Sequence, residues 1–182
     1  MKLLICLLVC CLPLLAAAGW TDGSGKPVPD QKHMRSVGSF GVHLVFTLDE
    51  SDFRRAWESS SPPLLKATTK ARRGAPVTAI LLFFGCTSGA EGNCDVVAEF
   101  MLVAPDGKRV PAGTGSVWNT APLAGKILLS SVSMTMDFDS ADPVGSYRIN
   151  GGKGRGVDAR GSHLCGNISA FAEIGLLTHQ WL

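Results

Sequence analysis

Charge is scarce in this sequence and nearly cancelled: 17 basic and 15 acidic side chains among 182 residues leave a formal +2, and only 18% of positions are charged. A nucleic-acid binder needs a cationic footprint for the phosphates, so no nucleic-acid partner is expected. Aromatic residues make up 7%, with a single tyrosine. Nucleotide-binding glycine signatures are missing: GGKGRG does not spell G-x-G-x-x-G, and no G-x-x-x-x-G-K-[ST] occurs. No G-x-S-x-G elbow accompanies the Ser, His and Asp residues, so a hydrolase of that design has no motif here. At 46% hydrophobic the chain is also too apolar for a disordered one, and its length suits one ordinary globular domain.

A long apolar run opens the chain. Met1 and Lys2 precede LLICLLVCCLPLLAAAG, which is broken by Pro13 and ends at Ala16, Ala17 and Ala18. A positive start, a short apolar middle and small residues before a cleavage point are the parts of a secretory signal peptide; a spanning helix needs about 20 apolar residues. The sequence therefore predicts a leader over residues 1–18, export by the bacterial secretory pathway to the periplasm or medium, and no stable membrane span after cleavage. Lipidation at Cys10 or Cys11 is disfavoured, because the apolar run continues past both and the large Val9 precedes them. Three of the six cysteines remain after cleavage, Cys86, Cys94 and Cys165, in a compartment that permits disulfides. Cys86 and Cys94 stand at the two ends of the short loop in FFGCTSGAEGNCDVV, so the expected bridge is Cys86–Cys94, with Cys165 left over.

Residues 19–37 are polar and turn-rich and read as a flexible lead-in or an edge segment. In SFGVHLVFTLD, Phe40, Val42, Leu44, Phe46 and Leu48 share one parity while Gly41, His43 and Thr47 take the other, the pattern of a strand with one buried face. His43 is thus expected to be exposed. Asp49 is placed to cap a short helix over ESDFRRAWE, in which Phe53 and Trp57 lie four residues apart, before Pro62-Pro63 forbids continuation. VTAILLFF is an apolar run of central-strand length, and CDVVAEFMLVAP reads as its hairpin partner across the cysteine loop. Pro105-Asp106-Gly107-Lys108 supplies a turn, and residues 110–125 read as a loop carrying Trp118. KILLSSVSMTMDF alternates again, with Leu128, Val132, Met134, Met136 and Phe138 on the parity of Ser130, and Ser133 on the solvent side. Asp142-Pro143-Val144-Gly145 then turns the chain into the strand SYRIN. Strands joined by turns, with one convincing helix, predict an all-β fold: an antiparallel immunoglobulin-like β-sandwich over residues 38–150.

Taken together, FFGC, NCDVVAEFMLVAPDGK, Trp118 and MDFDSADPVGSYRI resemble small secreted bacterial β-sandwich proteins of uncharacterised function, over residues 38–150. The resemblance implies a cell-envelope domain and nothing about chemistry. In such sandwiches a strand like SYRI runs on to a turn and a last strand, but here the text changes at Asn150 to NGGKGRGVDARGSHLCGN. Two readings of residues 151–182 stay open. One is a Gly/Arg-rich loop followed by ISAFAEIGLLTHQWL, where Ile168, Phe171, Ile174, Leu177 and Trp181 suit a helix face as well as an irregular strand. The other is a tail read out of frame, since a GC-rich coding sequence in a shifted frame yields Gly, Arg and Ala. Both give an irregular C-terminal tail.

Candidate functional residues are few. Lys66, Lys70, Arg72 and Arg73 make a local basic loop, either a solvated connection or a docking site for an anionic partner. Trp57 and Trp118 either plug open ends of a small sandwich or anchor a partner. His163, Cys165 and His179 lack the base, orienting group or four-ligand set that a thiol nucleophile or structural zinc requires, and His33 and His43 have no motif around them. Asn167-Ile168-Ser169 matches N-x-[ST] but carries no weight in a chain with a bacterial leader. No catalytic residue, cofactor or metal is expected. The reading is a secreted or periplasmic noncatalytic binding or accessory domain of the cell envelope, its partner an unidentified protein or envelope component. The alternative is a secreted hydrolase whose site is assembled from residues distant in sequence.

Overall fold

A computed structural model describes residues 19–59, 63–88, 91–151, 153–154 and 168–177. The expected leader, together with His163, Cys165, Asn167, His179 and Trp181, lies outside the described residues. In chain order the elements are β1 (Met34–Val37), β2 (Phe40–Thr47), α1 (Glu50–Ser59), β3 (Lys70–Ala71), β4 (Val77–Phe84), β5 (Val96–Val103), β6 (Arg109–Trp118), β7 (Leu128–Met136), β8 (Gly145–Gly151), β9 (Lys153–Gly154) and β10 (Ala170–Leu176). The fold is all-β with two sheets. One has the order β1-β2-β4-β7; the other is β3-β10-β8-β5-β6, with β9 beside β5. Their inner faces share one core: Val42, Leu44 and Phe46 of β2 and Ala79, Leu81 and Phe83 of β4 cluster with Ala98 and Phe100 of β5, Tyr147 and Ile149 of β8, and Ile174 and Leu176 of β10.

The strand at Phe40 buries the expected parity, but its other face is not open, since Gly41 is buried and His43 half-buried. Thr47 is buried and closes β2, while Leu48 lies beyond the strand and is exposed. Apart from Thr78, whose hydroxyl bonds with that of Thr135, β4 is apolar throughout because both its faces are covered. Ala79, Leu81 and Phe83 face the core, and Ile80 and Leu82, on the opposite parity, are buried as well. The outer covering is α1. Its start is capped as expected, the Asp52 N–H donating to Asp49 Oδ1 at 2.8 Å. Ser133 sits beside Ile80 in the ladder and so shares its outer face; the Ser133 hydroxyl donates to Glu50 Oε1 at 2.7 Å. Arg54 Nη1 reaches the Ser130 carbonyl at 3.0 Å and its guanidinium pairs with Glu50. These bonds dock α1, whose Phe53 is buried, on β7.

The helix is anchored at a bulge. Between Ile80 and Leu82 β4 advances two residues while β7 advances from Leu129 to Ser133. Ser130, wholly buried on the inner parity, meets its polar needs inside the bulge: its hydroxyl oxygen accepts from the Val132 N–H and the hydroxyl donates to the Val132 carbonyl.

Four expectations are corrected. VTAILLFF and CDVVAEFMLVAP are not hairpin partners: β4 and β5 belong to different sheets, so the cysteine loop is a crossing between layers. Cys86 and Cys94 lie at disulfide distance across it, with Cα atoms 6.1 Å apart. Gly85 begins this crossing at φ 71°, where a Cβ would collide with the Ser39 carbonyl. The stretch read as a loop from residue 110 contains β6, which pairs with β5 through the turn at residues 105–108. Its first residues are exposed on both parities, which is why they carry no apolar alternation. Of the two readings of residues 19–37, the flexible lead-in gives way to the edge segment: β1 pairs with β2 at the edge of its sheet and Trp20 is buried. Within the span read as an irregular tail, β10 pairs antiparallel with β8 over its whole length. Its buried parity is Ala170, Ala172, Ile174 and Leu176, so neither the helical face nor the Phe171/Leu177 register describes it.

The packing at β7 separates two substitutions. Phe138, buried against the Tyr147 ring at 4.7 Å, should lose about 3–5 kcal/mol on truncation to alanine. Ser133→Ala, which removes a hydrogen bond to a carboxylate rather than a solvated hydroxyl, should cost about 1–2 kcal/mol. Denaturant melts measure both; equal and small shifts would contradict this packing.

Candidate functional site

The sites where one sheet meets the other are the places to look for function, because a strand edge carries main-chain groups that need partners. Most edges are occupied. β7 is engaged by α1 through the Ser130 carbonyl, and its Ser131 hydroxyl bonds to the Ser116 and Val117 carbonyls of β6, both at 3.2 Å. At β1 the Asp30 carboxylate takes the Ser36 N–H at 3.2 Å. β6 is blunted by Pro111, which has no N–H, and by a bulge between Phe100 and Met101.

The seam between β2 and β10 is different. Two dipeptides staple it, each bonded to both sheets. At one end the His33 carbonyl accepts from the Leu44 N–H and the Lys32 carbonyl from the Phe171 N–H, both at 2.8 Å. At the other the Thr68 N–H donates to the Phe46 carbonyl and the Gly175 N–H to the Thr69 carbonyl, both at 2.9 Å. Between the staples lies a cleft of about 370 Å³, walled by residues 44–46, 67–69 and 171–173 with Lys32, His33 and His43. Main-chain groups of one strand residue point to the same side, and alternate residues to opposite sides. The bonds at Leu44, Phe46, Phe171 and Gly175 therefore turn the Leu44 carbonyl, the Phe46 N–H and both main-chain groups of Glu173 toward this opening.

The cleft wall is apolar with a charged rim. Phe171 lies between two cations, Lys32 Nζ at 5.7 Å and the Arg148 guanidinium at 5.5 Å from its centroid. Lys32 also pairs with Glu173 at 3.8 Å, an exposed contact that contributes little to stability. Two imidazoles stand together, His33 and His43, with centroids 5.2 Å apart and planes inclined at 46°. His43 was expected to be exposed, but it is half-buried because Trp20 folds back over the outer face of β2, its ring meeting His43 at 5.6 Å and Phe84 at 4.8 Å. Burial first, and the neighbouring His33 second, hold His43 down at about 4, from an ordinary 6.5. At neutral pH it is an uncharged donor-acceptor.

The residues singled out from sequence fall elsewhere. Trp118 ends β6, edge-on to Phe83 at 5.9 Å against the core. Trp57 is half-buried on α1. Among the basic-loop residues, Lys66 is bound to Asp52 at 2.9 Å, a hydrogen bond and attraction that raise its pKa. Arg73 donates from Nη2 to the Asp142 carbonyl at 2.6 Å, and its Nε is buried without a partner. Lys70 lies in β3, and Arg72 is exposed. None of these six lines the cleft, although the loop they flank does, through Ala67, Thr68 and Thr69. Sequence reasoning missed the cleft because its walls come from three separated stretches, none carrying a motif. The His43 parity was the one available signal, and it pointed outward. Among the described residues no group of three or more His, Cys, Asp or Glu is placed to hold a metal ion, and no helix is long and apolar enough to cross a membrane. No protein-family model matches the chain, and no curated protein matches it significantly.

The depressed His43 pKa makes a pH prediction. Between pH 6.5 and about 4 the unfolded chain protonates His43 while the folded chain does not, so stability from this residue falls as pH falls through that window. In metal-free buffer, His43→Gln should flatten this part of the stability–pH curve. Unchanged slopes would contradict a buried neutral imidazole.

Proposed function

We propose that the protein is an exported, noncatalytic binding or accessory domain of the cell envelope, built as an immunoglobulin-like sandwich, and that it takes its partner at the β2–β10 cleft. The observation that carries this reading is the pair of stapled strand edges: main-chain groups facing an apolar opening offer a ligand's backbone or polar groups hydrogen bonds and a dry wall. The immunoglobulin-like part is supported by strand order. β2, β4 and β7 occupy the positions of strands A, B and E, and β10, β8 and β5 those of G, F and C. Tyr147 supports it too, its hydroxyl donating to the Pro143 carbonyl at 2.9 Å, as in the tyrosine corner of that fold. β6 departs from the constant-type order by staying beside β5 instead of joining β7. Export rests on the leader-like residues 1–18 and suits cysteines at disulfide distance.

Ala67 is exposed on the cleft wall, so Ala67→Trp should fill the opening without entering the core. With the tagged protein exported in a bacterial host, co-fractionation with an envelope component should be lost in this variant at unchanged melting temperature. Undiminished co-fractionation would remove the cleft from the account. Turnover of ester, peptide or glycoside substrates that is abolished by the same change would favour the hydrolase.

A further inference from the structure

The His43 ring packs edge-on against Trp20, and the His33 ring stands beside it. His33 contributes its carbonyl, not its ring, to the staple, and the ladder places Met34, not His33, opposite His43. Yet both residues line the same opening. Two imidazoles bound to one tetrahedral zinc at Zn–N of about 2.0–2.1 Å place their ring centroids close to 5 Å apart. The observed 5.2 Å falls at that separation, and an inclination of 46° is open to rings that rotate freely about the metal–nitrogen bond. Parallel stacking would leave the planes far less inclined.

We propose that His33 and His43 form a two-imidazole site for Zn²⁺ on the cleft wall, with the remaining coordination positions facing the opening. The site goes beyond the binding role proposed above and does not depend on it. Borderline-soft divalent ions favour imidazole nitrogen, whereas the cleft's carboxylate, Glu173, is engaged with Lys32. Because the protein supplies two ligands and not three or four, the site is open rather than closed, and it accepts a further donor from whatever enters the cleft.

Titration calorimetry of the exported protein with ZnCl₂ tests this directly. The chain has four histidines, which gives the experiment its internal controls. One equivalent of zinc should bind. His33→Gln and His43→Gln should each weaken binding at least tenfold, while His163→Gln, His179→Gln and Cys165→Ser should leave it unchanged. Nitrogen NMR of the wild-type imidazoles keeps the test independent of whether the variants fold: zinc should shift the ring nitrogens of His33 and His43 together. No binding at millimolar zinc, loss in only one of the two cleft variants, or loss in the His163, His179 or Cys165 variants would overturn the site. Zinc binding that survives Ala67→Trp while co-fractionation is lost would separate this site from the partner-binding reading.

Discussion

The two sheets have to be held edge to edge without a strand running through both, and at the β2–β10 seam this is achieved by four main-chain hydrogen bonds from two dipeptides. A buried amide left unpaired costs about as much as the bond it lacks, so these bonds matter more through their absence than through their net gain. They also bring together parts of the chain that are far apart: residues 32–33, 67–69 and 171–175. The cleft is the consequence, since the seam is closed at its two ends and not between them. The His33–His43 pair stands at one of those ends because the turn that staples the seam also swings His33 toward β2.

The opposite seam is closed differently. There Ser131 spans from β7 to β6 with its side chain, and α1 holds the bulged edge of β7 from outside. The β6–β7 seam is thus bridged by a side chain, and the β2–β10 seam chiefly by main chain, with the exposed Lys32–Glu173 pair beside it. The proposed binding role rests on the β2–β10 seam, where the Leu44 carbonyl, the Phe46 N–H and the main-chain groups of Glu173 face the cleft.

Much of the fold was legible in the sequence where one physical signal dominated. The parity of Phe40 to Phe46, the Asp49 cap and the alternation from Leu128 to Met136 all reappear in the structure, because burial of one face and satisfaction of a helix terminus are local demands. Composition misled where an element did not need apolar residues. β6, with Pro111, Gly113 and Gly115, looked like a loop because its first half is exposed on both parities and so carries no apolar alternation. β10 was misjudged because Phe171 and Leu177, its conspicuous apolar residues, lie off the buried parity, whereas the small Ala170 and Ala172 lie on it. The hairpin reading of β4 and β5 failed for a topological reason: the alternation of neither strand says which sheet it joins. The site was illegible for the same reason. Its staples are carbonyl and N–H groups, which every residue has, so no side-chain pattern marks Lys32, His33, Thr68 or Thr69.

Residue-resolved hydrogen exchange of the amides along the seam tests the stapled seam most directly. The account predicts an alternation: the amides of Leu44, Thr68, Phe171 and Gly175 exchange slowly, while those of Phe46 and Glu173, which face the cleft, exchange faster than their neighbours on the same strands. Fast exchange throughout residues 170–176 while β8 stays protected, or uniform protection with no alternation, would contradict it.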